Sequence, residues 1–114
     1  MSMTAAEIAG VVGTEYKPWW PPEITWGQAP DTSDINFGWW YGNCIKLPGS
    51  VVELAFIGAA VRELAKRGSV MLAPAVNKTK GTEGWVCLSK RNPIRGGPTT
   101  LHALVAALNE SEGA

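Results

Sequence analysis

Five of the chain's six tryptophans fall between Trp19 and Trp40, and four of them stand as adjacent pairs. One pair lies among prolines, "PWWPP" (18–22), the other among glycines, "FGWWYG" (37–42). A buried indole removes about 150–250 Å² from water, so such residues are either the core of a small fold or a surface built to stack something. Adjacency narrows that choice. On an extended strand neighbouring side chains point to opposite faces, so Trp39 and Trp40 cannot both enter one core. The same geometry applies to Trp19 and Trp20, with Pro18, Pro21 and Pro22 holding them extended. The expectation is that at least one indole of each pair is exposed, or is covered by another subunit or a ligand. Trp85, which alternates with Cys87, reads instead as core.

Around these pairs the chain patterns as an α+β domain. The best specified element is a helix over about 51–67. Ser50 and Glu53 have capping-box spacing, and Leu54, Ile57, Val61, Leu64 and Ala65 recur at helical intervals. Ala55 and Phe56 widen the apolar stripe, which predicts a largely buried helix. Glu63 and Arg67 pair at i,i+4, and Gly68 stands where a left-handed stop is needed. Thr4 and Glu7 cap a shorter helix over about 5–12, ended by Gly13. Residues 24–27, 36–41, 69–76 and 85–90 read as strands. The polar turn over 77–84 joins the last two into a hairpin, and Pro74 implies either an edge position or an early end for the first of these. After a loop over 91–98, Thr99 or Thr100 caps a helix over about 101–109, with Leu101, Leu104, Val105 and Leu108 on its core face. The length suits one domain, residues 1–114. The element order predicts two layers, a small antiparallel sheet packed with two to three helices.

Charge removes some functions. The formal net charge is zero, and a protein that coats long nucleic acid needs a basic surface. The charges are unevenly placed, however. Up to Asn36 there are five acids against Lys17, whereas the later loops carry Lys78, Lys80, Lys90, Arg91 and Arg95 against Glu83. One histidine and two cysteines cannot complete a Cys/His zinc site. Cys44 and Cys87 read as free thiols, which fits a reducing cytoplasm. There is no apolar run of membrane length and no signal-like segment. A Cys-His nucleophile pair would need Cys44 or Cys87 beside His102, and nothing in the spacing brings them together. Asp31 and Asp34 lie in "APDTSD", which Asx-type turns explain. No catalytic constellation and no cofactor motif emerges, so the chain reads as a non-enzyme.

Two binding candidates remain. Trp19, Trp20, Trp39, Trp40 and Tyr41 offer aromatic faces, which stack bases at about 1–3 kcal/mol each or anchor protein interfaces. The basic loop contributes Arg91, Asn92, Arg95, Thr99 and Thr100 and ends at a helix N-terminus, where free amides favour an anion. Arg91 and Arg95 can fork onto phosphate oxygens. The plainer reading is a solvated loop whose threonine caps the helix. P-loop spacing is absent.

The second half carries a resemblance. A long helix leads to a hairpin whose second strand begins at Trp85, and "NPIR" (92–95) then leads towards a C-terminal helix. Residues 41–108 thereby resemble small bacteriophage proteins of the NinX and phage ABA-sandwich type. "GGPTT" (96–100) departs from that pattern by separating Arg95 from the helix. The resemblance implies a phage-encoded accessory protein in a bacterial cytoplasm. In that setting the leading expectation is a homo-oligomeric protein that sequesters a nucleotide-like immune signal, with tryptophans stacking the base and Arg/Thr holding phosphates. The alternative is an inhibitor that docks a Trp-rich surface on a host defence or replication protein.

Overall fold

The computed structural model describes the backbone of residues 3–28, 37–42, 45–68, 70–77, 82–89 and 95–112, and side chains over 3–27, 37–42, 45–68 and 98–109. The elements are α1 (Ala5–Val12), β1 (Ile24–Gln28), β2 (Phe37–Tyr41), β3 (Ile45–Lys46), α2 (Gly49–Arg67), β4 (Val70–Asn77), β5 (Thr82–Ser89), β6 (Arg95–Gly97) and α3 (Thr100–Glu112). The fold class is α+β as expected, but the described residues form two antiparallel three-stranded sheets, β1-β2-β3 and β4-β5-β6, where one was anticipated. The additional strands, β3 and β6, are short and lie in stretches without periodicity. The chain divides into two compact units, residues 1–59 and 60–114, and the division falls inside α2.

In the first unit α1 begins with the anticipated capping box. Thr4 Oγ1 accepts from Glu7 N–H (3.2 Å) while the Glu7 carboxylate accepts from Thr4 N–H (3.1 Å). Ile8 and Val12 are its buried residues, and Gly13 ends it at φ 87° with its N–H on Ala9 O. β1 and β2 pair with Trp26 opposite Trp39, Thr25 opposite Trp40 and Ile24 opposite Tyr41. α2 starts two residues before the expected position. Val52 N–H already bonds Pro48 O, so Ser50 lies within the first turn. Glu53 does not close a box on Ser50. Its carboxylate accepts from Met3 N–H (3.1 Å), which draws the chain just before α1 onto the start of α2.

In the second unit β4 and β5 form the anticipated hairpin, with Pro74 on edge strand β4 opposite Trp85. β6 pairs on the other side of β5, and α3 packs against β5 and β6. Leu101, Leu104, Val105 and Leu108 are buried, as their spacing predicts, with Ala103 and Ala107 beside them. Arg67, held by Glu63 (3.1 Å), also donates to Leu108 O (3.4 Å) near the end of α3.

Candidate docking surface

The two tryptophan pairs are built into the first unit by different local structures. Lys17-Pro18-Trp19-Trp20 closes a β-turn, with Trp20 N–H on Lys17 O (2.9 Å), and a second turn follows at Pro21 to Ile24. Proline favours position i+1 of such turns, and both turns place one there. The prolines therefore bend the segment rather than extend it. Trp19 and Trp20 converge on one partner, Phe56 of α2, at 6.0 and 5.2 Å between ring centroids. Trp39 joins the same cluster at 5.5 Å from Trp20, 5.0 Å from Phe56 and 4.9 Å from Trp26.

Trp40 takes the opposite face of β2, as strand geometry demands. It is nevertheless buried. Its Nε1 donates to Gly27 O (2.7 Å), turning the indole back onto its own sheet. Beside it the stem of Lys46, its partner in β3, lies over Gly38, where a Cβ would come within 3.1 Å of Lys46 Cε. Trp19, Trp20, Trp39 and Trp40 are all at most 7% exposed. This corrects the expectation of one exposed indole per pair. The turn lets neighbours converge, and the sheet's second face has its own cover. Nor do the buried rings form a stacking platform. They meet at 60–86°, edge to face or tilted, and fill one another's space. The indole N–H groups of Trp20 and Trp39 lie within this cluster with no hydrogen-bond partner among the described residues.

The accessible apolar surface lies around that cluster. Phe37 and Tyr41 stand two residues either side of Trp39, on the same face of β2, and are 55% and 51% exposed. Ile45, paired with Tyr41 across the sheet, is 60% exposed, and Tyr16, edge-on to Trp20 at 6.0 Å, is 62% exposed. Trp26 on edge strand β1 is half-buried. Of the anticipated aromatic site only Tyr41 is on this surface. Tyr16, Trp26, Phe37 and Ile45 were not singled out in the sequence. Period-two spacing from Trp39 would have found Phe37, and the β1–β2 register would have found Trp26.

The basic-loop candidates are only partly visible. Arg91 and Asn92 lie outside the described residues, as does Cys44. Arg95 opens β6, which places it in a strand rather than in the anticipated loop, and its side chain lies outside the described set. Thr99 caps α3. Its Oγ1 accepts from His102 N–H (3.2 Å) and stands 2.7 Å from His102 Nδ1. Thr100 is the first residue of that helix. No group of acids, histidines or cysteines among the described residues could hold a metal ion, and no described helix is long and apolar enough to cross a membrane.

No protein family, curated protein or solved structure matches this chain.

Proposed function

We propose that the protein is a non-enzymatic docking module that binds another protein through the aromatic rim of its first unit. Phe37 and Tyr41 are the anchors, with Ile45, Trp26 and Tyr16 around them. The observation that carries this reading is the contrast along one strand face. Trp39 is fully buried while its same-face neighbours Phe37 and Tyr41 stay half exposed. Large aromatic side chains left in water above a packed base are what protein interfaces use as hot spots. The setting consistent with the sequence resemblance is a phage accessory protein acting on a host protein in the bacterial cytoplasm. The nucleotide-sequestering reading loses support, because the four tryptophans assigned to stacking are packed against one another.

The test is affinity capture from bacterial lysate with wild type and a Phe37→Ala/Tyr41→Ala variant. Both side chains are half exposed, so the variant keeps its fold, and circular dichroism checks this. A partner held by wild type and lost from the variant is the expected result. Equal capture by both overturns the assignment of the site. A nucleotide retained in native mass spectrometry, and released by Arg91→Ala/Arg95→Ala, would restore the sequestering reading.

A further inference from the structure

We propose that the outer edge of β1 is a site of self-association, and that its occupant is β1 of a second copy, paired antiparallel about Trp26. The ladder fixes which backbone groups face outward. Gly42 N–H bonds Glu23 O, and hydrogen-bonded pairs alternate along an antiparallel ladder, so Thr25 and Gly27 bond Trp40 and Gly38 of β2. Leu47 N–H on Trp39 O agrees with this, because it turns the Trp39 backbone towards β3 and leaves Gly38 and Trp40 to β1. The N–H and C=O groups of Ile24, Trp26 and Gln28 therefore point away from β2. Among the described residues β1 is an edge strand, and no element pairs with that side. The whole edge lies within the first unit.

Symmetry selects the occupant. The outward groups belong to residues 24, 26 and 28, so a second β1 run antiparallel about Trp26 meets them in register, Trp26 with its counterpart and Ile24 with Gln28. Each Trp26 N–H then donates to the other copy's Trp26 carbonyl, and each Gln28 N–H to the other copy's Ile24 carbonyl. Ile24 N–H is already held by Pro21 O (3.3 Å), which ends the pairing there. A centre at any other residue leaves part of β1 unpaired.

The side chains favour the same partner. β1 is "ITWGQ", with neither a charge nor a proline, the usual guards of an exposed edge, so two copies meet without repulsion. Trp26 packs on Trp39 at 4.9 Å and stays only half-buried. Directly paired residues share a face, so the two Trp26 indoles come together on the face that carries Trp39, and aromatic cross-strand pairs stabilise a sheet. An interface of one five-residue strand, about 17 Å long, is small against the roughly 800 Å² per partner of a stable complex. The dimer is accordingly weak, forming between micromolar and millimolar concentration. This site goes beyond the docking rim, whose anchors Phe37 and Tyr41 stand on β2 and take no part in the pairing.

Sedimentation equilibrium from about 10 μM to about 1 mM, with amide hydrogen exchange over the same range, tests this. Wild type should rise from the 12.2 kDa of one chain towards twice that mass. The Trp26 and Gln28 amides should gain protection as it does, while the Thr25 and Gly27 amides, already in the ladder, are protected throughout. Gln28→Pro removes an outward donor and no bond to β2, so it should keep its fold by circular dichroism. It should associate about tenfold more weakly, because the two-fold loses two hydrogen bonds. Phe37→Ala/Tyr41→Ala should associate as wild type does. Wild type that stays monomeric throughout, Trp26 and Gln28 amides already protected in the monomer, or a Gln28→Pro variant that dimerises like wild type overturns the edge. Loss of association in Phe37→Ala/Tyr41→Ala places the contact on the rim and overturns it as well.

Discussion

Gly49→Ala should destabilise the protein although it replaces a glycine in the first turn of a helix with the best helix former. Glycine to alanine within a helix ordinarily stabilises by about 0.5–1 kcal/mol. At Gly49, however, a Cβ would lie far inside van der Waals contact with Met3 O, with Met3 C at 3.3 Å and Thr4 Cα at 3.7 Å. These are backbone atoms and cannot rotate away, so the segment before α1 would have to retreat by about 1 Å. That segment is tied down twice. Met3 N–H donates to the Glu53 carboxylate, and the Met3 side chain is buried. A hydrogen bond to a charged group contributes about 1.5–3 kcal/mol. Burying a methionine contributes about 1.5–3 kcal/mol more. With the helix gain subtracted, the net loss is about 2–5 kcal/mol.

Urea denaturation of wild type and variant measures this directly. Gly10→Ala is the control, because Gly10 is also helical and a Cβ there meets nothing within 4 Å. It should gain about 0.5–1 kcal/mol, so the two substitutions should move stability in opposite directions. Adding Met3→Ala to each background isolates the contact. Its cost should fall in the Gly49→Ala background by about 0.5–3 kcal/mol, the coupling of residues in contact. A Gly49→Ala protein as stable as wild type would show that the segment before α1 does not rest on α2, and the reasoning would fail.

Five other substitutions probe the rest of the structure. Phe56→Ala removes the ring that three buried tryptophans share, and should cost about 3–5 kcal/mol with a red shift in tryptophan emission, whereas Phe37→Ala should stay within about 0.5 kcal/mol of wild type. Trp40→Phe deletes the donor to Gly27 O and Trp39→Phe deletes a donor with no partner among the described residues, so beyond their shared loss of volume the first should cost about 1 kcal/mol more by chemical denaturation. Thr99→Ala should lower stability by about 1 kcal/mol, and hydrogen exchange should show the first turn of α3 fraying.

What was legible in the sequence was set by local chemistry. α1 was readable to its ends because Thr4, Glu7 and Gly13 act within one turn of the residues they terminate. The hairpin followed from alternation; Pro74 left β4 either at an edge or cut short, and β4 is an edge strand that runs on to Asn77. The start of α2 was misplaced because Glu53 sits three residues after Ser50, the spacing of a local box. Its actual partner is 50 residues away, and no spacing rule reaches that far. β3 and β6, of two and three residues, carry too few side chains for a period to register. They exist because β2 and β5 offer them a ladder. The candidate site was half legible. Tyr41 was identified, but at least one tryptophan of each pair was expected outward, by an argument that allowed neither for a turn at Trp19 and Trp20 nor for a covered second face at Trp40.

That argument failed in a way that bears on function. Trp39 and Trp40 do point to opposite faces, and each face is closed: one by Trp20, Trp26 and Phe56, the other by the indole's own bond to Gly27 and the stem of Lys46. β2 is therefore gripped at its centre from both sides. Phe37 and Tyr41 lie two residues from that centre, on a backbone that has little freedom left to lose. Aromatic side chains have two rotatable bonds, and binding through such residues on a rigid support costs less ordering entropy than binding through a loop. Burying the tryptophans thus strengthens the case for their neighbours. The exposed rings at the rim are useful as anchors because the rings beneath them are core.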